Sequence, residues 1–400
     1  MSGIDNNRKV PTRLLAIIAG TAVANLYYLQ PLLRVVSVAF HLHGGEAGFL
    51  VSAGQAGFVA GLATLLPLGD RFDRRKLIAL SLVLAAGFDL WVAVARGLPQ
   101  LLLALAGLGA FAVVAQVAVT YAAAAAPVQS RSRAVATVMS GLLAGIVLAR
   151  TYSGAVAGVA SYRIVFVIAA SAGVVLALAT LWWLPAEKEK PRLKLGDILR
   201  TSLELYRREP LLRFRSLLGM LGFASFSMFW TTMALALSRP PYYLSTGVIG
   251  LFGFAGLAGV LAARLVGKLS DQGRTGFTTL MSFSIVALSW LGFLLDRRSL
   301  LLFAVLTATL DAGLQGAQLT NQSLIYRLGR GSHGRVTMVY MVNYFFGGLI
   351  GSLSASLLFT AGGFFLVSLA GIVAGLLSLG IWLGFAGRER RWISEAGTVG

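Results

Sequence analysis

The stretch PLGDRFDRRK, residues 67–76, places six charged side chains between two long apolar runs, 48–66 and 77–95. Such a charged run lies outside the hydrocarbon of a bilayer, whereas each flanking run has about the 20 apolar residues that a membrane-spanning helix needs. Lys and Arg collect in cytoplasmic loops, so the four cations here predict a cytoplasmic loop. The stretch therefore predicts a helical hairpin and sets the orientation of the chain.

The composition indicates a membrane protein. Of its 400 residues, 57% are hydrophobic, only 12% are charged and 47 are glycines, which allow close contact between membrane helices. The net charge of +19 is explained by the enrichment of cations in cytoplasmic loops of membrane proteins, because 26 of the 34 Lys and Arg fall in predicted cytoplasmic segments. We therefore expect no nucleic-acid partner. The chain has no cysteine, which excludes disulfides and thiolate metal sites.

The hydropathy pattern predicts an all-α membrane protein of twelve spans. They are residues 13–40, 47–67, 76–95, 99–126, 134–159, 163–184, 213–238, 246–267, 275–295, 299–326, 336–360 and 363–386. The first apolar run is too long for a cleavable signal peptide, and the even count predicts that both termini are cytoplasmic. The predicted domains are a six-helix bundle at 1–184, a polar linker with a surface helix at 185–212, and a second bundle with a short cytoplasmic tail at 213–400.

The two halves repeat each other at an offset of 202 residues. At this offset Arg133 matches Arg335, Gly145 matches Gly347 and Gln116 matches Gln318. Repeated halves that bind a substrate between them near the bilayer midplane are typical of transporters that work by rocking of the halves. The repeat therefore favours a transporter over a channel or a receptor.

The charged loop resembles the signature loop of the major facilitator superfamily, G-x-L-A-D-R-x-G-R-R/K. Leu68, Asp70, Arg71, Arg74 and Arg75 match this pattern, whereas Leu66 and Asp73 replace glycines and Gly69 replaces an alanine. A partial echo, GKLSDQGR at 267–274, follows the eighth span. The resemblance implies the major facilitator fold of two six-helix bundles. It also implies a conformational latch formed by Asp70, Arg71, Arg74 and Arg75 together with Gly267 and Asp271.

Three further segments are similar to the drug/proton antiporter branch of that superfamily, which includes drug and sugar efflux permeases. They are ANLYYLQPLL at 24–33, RAVATVMSGLLAGIVLAR at 133–150 and DAGLQGAQLTNQ at 311–322. Two family patterns linked to antiport differ here. Residues 103–109 lack the arginine of the fourth-helix pattern, and Ile146 replaces the proline of the fifth-helix pattern. The resemblance thus implies export, and the two departures keep proton-linked import open.

Charged residues inside a membrane are costly and therefore indicate function. Asp311 lies about 18 Å into its predicted helix, at 1.5 Å per residue. Gln315, Gln318 and Gln322 follow it on the same helix face, which indicates a water- or substrate-facing stripe. Burial favours the protonated form of a carboxyl, so Asp311 is our first candidate for proton coupling and Asp89 the second. A structural hydrogen bond at Asp311 and a packing or salt-bridge role at Asp89 stay open.

Three cations also lie within predicted spans. Arg264 and Arg34 lie near span ends, where Arg264 can extend its head group to the interface and Arg34 can do the same or act at an external gate. Arg150 lies deep in the fifth span and needs an acid, carbonyl groups or an anionic solute as partner. Either a cavity role or a structural pair would satisfy Arg150.

Polar and aromatic positions on the central spans complete the candidate substrate cavity: Asn25, Tyr28, Gln30, Gln116, Thr120, Arg150, Gln315, Gln318, Asn343 and Phe346. The aromatic residues of span seven, including Phe229 and Trp230, are equally well explained as packing. His41 and His43 lack a neighbouring carboxylate, so we expect no metal site.

These observations predict a secondary active transporter in the bacterial cytoplasmic (inner) membrane that exports a small organic solute. We expect no catalytic residues and, since no phosphate-binding loop is present, no coupling to ATP. The proton gradient would supply the energy without a bound cofactor, so the expected partners are the solute, protons and lipid, and we expect a monomer. A proton-linked metabolite importer and a lipid flippase on the same fold are the alternatives. A sensor without transport is least expected, because no sizeable soluble domain is present.

Overall fold

The computed structural model describes residues 11–42, 46–69, 71–127, 130–187, 195–256, 265–266, 268–269, 272–296, 299–328 and 333–398. Their principal helices are α1 (Thr12–Ala24), α2 (Leu29–Ala39), α3 (Glu46–Leu68), α4 (Arg74–Val94), α5 (Leu98–Ala112), α6 (Val114–Ala125), α7 (Arg131–Val159), α8 (Tyr162–Trp183), α9 (Leu195–Arg208), α10 (Pro210–Leu237), α11 (Thr246–Leu251), α12 (Thr275–Leu295), α13 (Leu300–Ile325) and α14 (His333–Thr398). Short 3₁₀ turns follow α11 and α13 at Phe252–Ala255 and Tyr326–Leu328.

The described helices account for eleven of the twelve predicted spans. Ten helical segments in the described part of the chain are long and apolar enough to cross a bilayer. The last of these, Gly334–Ser394, has 61 residues and breaks at Gly362 and Gly363, so it comprises two spans. The eighth predicted span begins as the shorter apolar helix Thr246–Ala255, and part of its remainder lies outside the described residues. The predicted all-α membrane fold is confirmed.

The chain divides into two compact units. Unit 1 comprises residues 1–41, 53–198 and 246–253, and unit 2 comprises residues 42–52, 199–245 and 254–400. Each unit therefore contains a short segment from the opposite half of the sequence. The domain boundaries expected from the sequence stay predictions.

Within unit 1, α4 packs most extensively on α8, and α1 packs on α7. The α1–α7 contact is close because it is made at glycines: a Cβ atom added to Gly145 would lie 2.2 Å from the carbonyl oxygen of Gly20. Small residues of this kind let two membrane helices approach at backbone distance. Helix α11 packs on the far end of α7.

Unit 2 repeats this contact with other residues. Its largest helix contact joins α10 to α14, where a Cβ atom on Gly347 would lie 2.0 Å from the carbonyl oxygen of Met220. Gly347 is the repeat counterpart of Gly145, so each half has a close helix contact at the same position of the repeat. Helix α12 packs on α13 and α14.

Candidate functional site

The first span contains a tightened turn between α1 and α2. The amides of Leu26 and Tyr27 bond to carbonyls three residues back, at 3.1 and 2.8 Å. A short 3₁₀-type stretch inside a helix changes the direction of the side chains that follow. Tyr27 and Tyr28 are both buried here and contact different parts of α7, at Arg150 and Tyr152.

Arg150 is buried on α7 with two neutral partners in unit 1. Its Nε donates a 2.7 Å hydrogen bond to Oε1 of Gln30, and its guanidinium carbon lies 4.9 Å from the centre of the Tyr27 ring. Both of these contacts are to neutral groups, and stacking on the aromatic ring stabilises a cation. The structure thus joins two predicted cavity residues, Gln30 and Arg150, and adds Tyr27, which the sequence analysis missed.

A cavity of about 350 Å³ lies between α1 and α7 in unit 1. Its lining is mostly small or apolar and includes Gly20, Thr21, Gly141, Leu148 and the two tyrosines Tyr28 and Tyr152. Of the predicted lining residues, Tyr28 lines this cavity. The volume falls at the small end of the range for sites that bind organic molecules.

Asp89 is buried on α4, with 1% of its surface exposed. Its Oδ1 has no hydrogen-bond partner among the described residues. Asp89 is not among the residues that line the cavity between α1 and α7.

Asp311 lies in the middle of α13 and is 2% exposed. Nε1 of Trp230, on α10, donates a 3.1 Å hydrogen bond to its Oδ1. Trp230 packs edge-on against Phe229, which belongs to an aromatic cluster with Trp290, Phe293, Phe303 and Phe364. Packing was one expected role for Trp230. Its hydrogen bond to Asp311 was not predicted, because the two residues lie 81 positions apart in the sequence.

The glutamines after Asp311 are half-buried, in contrast to the buried carboxyl. Gln318 accepts a hydrogen bond from the hydroxyl of Tyr340 on α14. Asn343 donates to the carbonyl oxygen of Val339 at 2.8 Å and accepts from Tyr206 of α9 at 3.5 Å. Among the other predicted lining residues, Asn25 is buried, Gln116 and Thr120 are half-buried, and Phe346 is exposed.

Arg215, fully buried on α10, is the centre of a network that the sequence analysis missed. Its Nη1 donates to Thr279 at 2.9 Å and Asn321 at 3.0 Å, and its Nη2 lies 2.5 Å from Oε1 of Glu389. Trp382 donates to the other oxygen of Glu389 at 3.1 Å. The network joins α10, α12, α13 and α14 of unit 2.

The signature loop is described on both sides of Asp70, which itself lies outside the described residues. Asp73 caps α4 by accepting from the amide of Arg75 at 3.0 Å, which gives a role to a residue where the family pattern has glycine. Arg74 forms a 2.9 Å ion pair with Glu187, and Arg75 donates to the carbonyl oxygen of Leu181. Arg71 stacks on Phe72 at 5.2 Å.

The structure gives no contacts for some of the residues that the sequence singles out. Gly267 and Asp271 of the latch, and also Arg264 and His43, lie outside the described residues. Arg34, on α2, is exposed. Within the part of the chain that the structure describes, no group of three His, Cys, Asp or Glu side chains could hold a metal ion.

Residues 15–352 match the family model of the Major Facilitator Superfamily. The chain belongs to the major facilitator superfamily. As a member of that superfamily it is a transporter. It is 42% identical over 369 residues to a putative uncharacterized transporter, YgaY, of Escherichia coli K12, a match that covers 92% of this chain and 94% of that protein. A probable transporter of Streptomyces coelicolor is 32% identical over 85% of this chain and 79% of its own length.

Solved structures show the same superfamily fold. A bacterial homolog of the human lysosomal transporter Spinster superposes with a TM-score of 0.74 over 97% of this chain and 99% of its own, at 16% identity. The D-xylose–proton symporter superposes with a TM-score of 0.68 over 92% and 96% of the two chains, at 13% identity. At these identities the likeness concerns the fold alone.

Proposed function

We propose that this transporter exports a small organic solute in exchange for protons, with Asp311 as the coupling group. The observation that carries the proposal is the carboxyl of Asp311, buried near the middle of a membrane-spanning helix with an indole N–H as its hydrogen-bond donor. A buried acid in the middle of a span is costly to keep and is typical of proton-translocating sites.

Protonation of Asp311 would change the strength of its hydrogen bond from Trp230. An N–H donates more strongly to an ionised carboxylate than to a neutral carboxyl. Protonation of Asp311 therefore weakens the link between α10 and α13, and proton release restores it. In this proposal the strength of that link couples the protonation state to alternating access.

Arg150 supports an anionic or zwitterionic solute. Its guanidinium, held by Gln30 and Tyr27, keeps a positive charge in unit 1, whereas Asp311 offers a titratable acid in unit 2. A solute with an anionic group would use Arg150 as its counter-charge.

Proton-linked import is the second candidate. Ile146 replaces the proline of the antiport pattern, and the D-xylose–proton symporter, by its name, pairs a solute with a proton on the same fold. Both candidates use a buried acid, so the direction of solute movement separates them.

The test uses the purified transporter in proteoliposomes with an imposed pH gradient and a panel of labelled solutes. We expect a solute to move against the proton flux, and Asp311→Asn to abolish gradient-driven accumulation but keep solute exchange. Asp197→Asn, the same change at an exposed linker residue, should behave as wild type. Movement with the proton flux would support the importer, and transfer of labelled lipid alone would support the flippase. Full coupling in Asp311→Asn would exclude this residue.

We also propose that the protein resides in the bacterial cytoplasmic (inner) membrane with both termini inside. The distribution of cations supports this orientation, and a 26% identical relative is named as the inner membrane transport protein YnfM of Escherichia coli. Reporter fusions at both termini test it, and an external terminus would contradict it.

A further inference from the structure

Helix α9, in the predicted linker, has an apolar side that is only partly covered. Ile198 and Ser202 on this side are buried, whereas Leu199 and Leu203 are 38% and 49% exposed. At about 100° per residue, the two exposed leucines lie about 40° apart around the helix, so they form one patch. An apolar patch on a helix that is otherwise charged is typical of helices that lie in a membrane interface.

The charged residues of α9 are sorted around the leucine patch. At about 100° per residue, Arg207 and Arg200 lie about 40° and 60° from Leu203. The two acids of the helix, Asp197 and Glu204, lie about 120° and 100° from Leu203. The cations are therefore next to the patch and the acids are farther from it. This order suits leucines that enter the acyl region beside guanidinium groups that reach lipid phosphates.

Tyr206 places the leucine side of α9 at the depth of the membrane surface. It lies about 20° from Leu199 around the helix, and its hydroxyl donates to Oδ1 of Asn343 at 3.5 Å. Asn343 is seven residues into the predicted span 336–360, about 10 Å along the helix. In addition, Glu209 alone separates α9 from the membrane-spanning α10. The leucine side therefore faces the membrane and not the aqueous phase beyond it.

We propose that α9 is a docking site for anionic phospholipids of the bilayer. The two leucines enter the acyl region, and Arg200 and Arg207 bind headgroup phosphates. Arg200 also pairs with Glu204 at 3.1 Å, but exposed ion pairs of this kind contribute little, so the guanidinium is available to a phosphate. The short connection to α10 favours lipid over a protein partner. The site needs neither solute nor proton, so it is independent of the proposed function.

Fluorescence quenching in nanodiscs tests whether the patch enters the bilayer of the purified full-length transporter. The chain has no native cysteine, so Leu203→Cys and Glu204→Cys each carry a single fluorescent label, and Leu199→Cys gives a second position on the patch. In nanodiscs that contain phosphatidylglycerol, nitroxide groups on the acyl chains should quench the labels at 199 and 203 severalfold more than the label at 204. Equal quenching at the three positions overturns the proposal, and the patch would then be open to a protein partner.

The preference for anionic lipid is tested by the fraction of phosphatidylglycerol in phosphatidylcholine nanodiscs that gives half-maximal quenching at position 203. Arg200→Gln and Arg207→Gln should each raise this fraction severalfold, because each removes a cation near the membrane surface. Arg208→Gln is the matched control, since this exposed arginine lies about 140° from Leu203, and it should leave the fraction unchanged. Quenching that does not depend on phosphatidylglycerol, or an equal rise in all three variants, overturns the proposal. Solute transport is not measured here, so this proposal and the proposed function can each fail alone.

Discussion

Arg215 and Glu389 form a buried ion pair, with Nη2 of the first 2.5 Å from Oε1 of the second. Their repeat counterparts, 202 residues earlier, are Arg13 and Glu187. Glu187 pairs instead with Arg74, at 2.9 Å, and Arg13 is exposed. The counterpart of Arg74 in the second half is Gly276. The acid is therefore common to both halves, following α8 in the first and lying within α14 in the second, whereas its cation differs.

We expect Glu389→Gln to destabilise the protein, because it leaves the Arg215 guanidinium buried without its carboxylate. Removal of one partner of a buried ion pair costs about 3–5 kcal/mol. Thermal unfolding in detergent should show a clear fall in the midpoint. The exposed pair of Arg200 and Glu204 offers the control, since Glu204→Gln should change the free energy of unfolding by less than about 1 kcal/mol. Equal midpoints for both variants would contradict the buried role.

The cations of the signature loop should separate into two classes. Arg74→Ala and Arg75→Ala should lower thermal stability, because these side chains tie the start of α4 to Glu187 and Leu181. Arg71→Ala and Asp70→Asn should retain stability but change the balance of conformations and slow transport. The chain lacks cysteine, so single introduced cysteines report accessibility without background. A normal balance and normal transport in both latter variants would count against the latch.

The close helix contacts predict which glycines tolerate a methyl group. Gly145→Ala and Gly347→Ala should each cost about 1–3 kcal/mol, because the new Cβ meets backbone atoms that cannot move aside. Gly87→Ala and Gly380→Ala are matched controls on α4 and α14, since no heavy atom lies within 4 Å of an added Cβ. Unfolding midpoints check this prediction. Destabilisation of all four variants alike would contradict the contact explanation, because alanine favours a helix more than glycine does.

Arg150→Ala should weaken the transport of solutes with an anionic group about 10- to 100-fold more than that of neutral ones, as expected for a charged hydrogen bond. Arg150→Lys should restore only part of the loss, because an ammonium lacks the forked geometry of a guanidinium. Gln30→Ala removes the 2.7 Å partner and keeps the charge, so it should preserve the preference. Competition among labelled solutes provides the measurement. Equal losses for all solutes with reduced stability would make Arg150 structural.

Hydropathy was sufficient to predict the helices, because the length of an apolar run follows from the thickness of the bilayer. It did not reveal the turn at Asn25–Tyr28, since 3₁₀ bonding changes the backbone without changing the apolarity of the segment. The last span was expected to end at 386, but α14 continues to Thr398. In the sequence, Arg388 and its charged neighbours look like an exposed polar tail. In the structure, Glu389 is buried because it pairs with Arg215.

The sequence singles out candidate residues one at a time, but it does not predict which of them are in contact. The cost of a buried charge singles out Arg150, Asp89 and Asp311 in the sequence. The partners of Arg150 and Asp311, Gln30 and Trp230, lie on other helices, and no local pattern encodes contacts over 81 and 120 residues. Trp230 was therefore ambiguous until its indole N–H was found beside Asp311.

The break at Gly362 and Gly363 bears on biosynthesis. Gly363 has a φ of 64°, a left-handed value that glycine adopts without strain, and the neighbours Ala361 and Phe364 are apolar. The two arms of α14 are thus joined with no charged loop. The nascent chain can insert both arms into the bilayer as one hairpin, without transferring a hydrophilic segment across it. With both termini inside, as proposed, an epitope inserted at this turn would have to cross the bilayer and would hinder assembly.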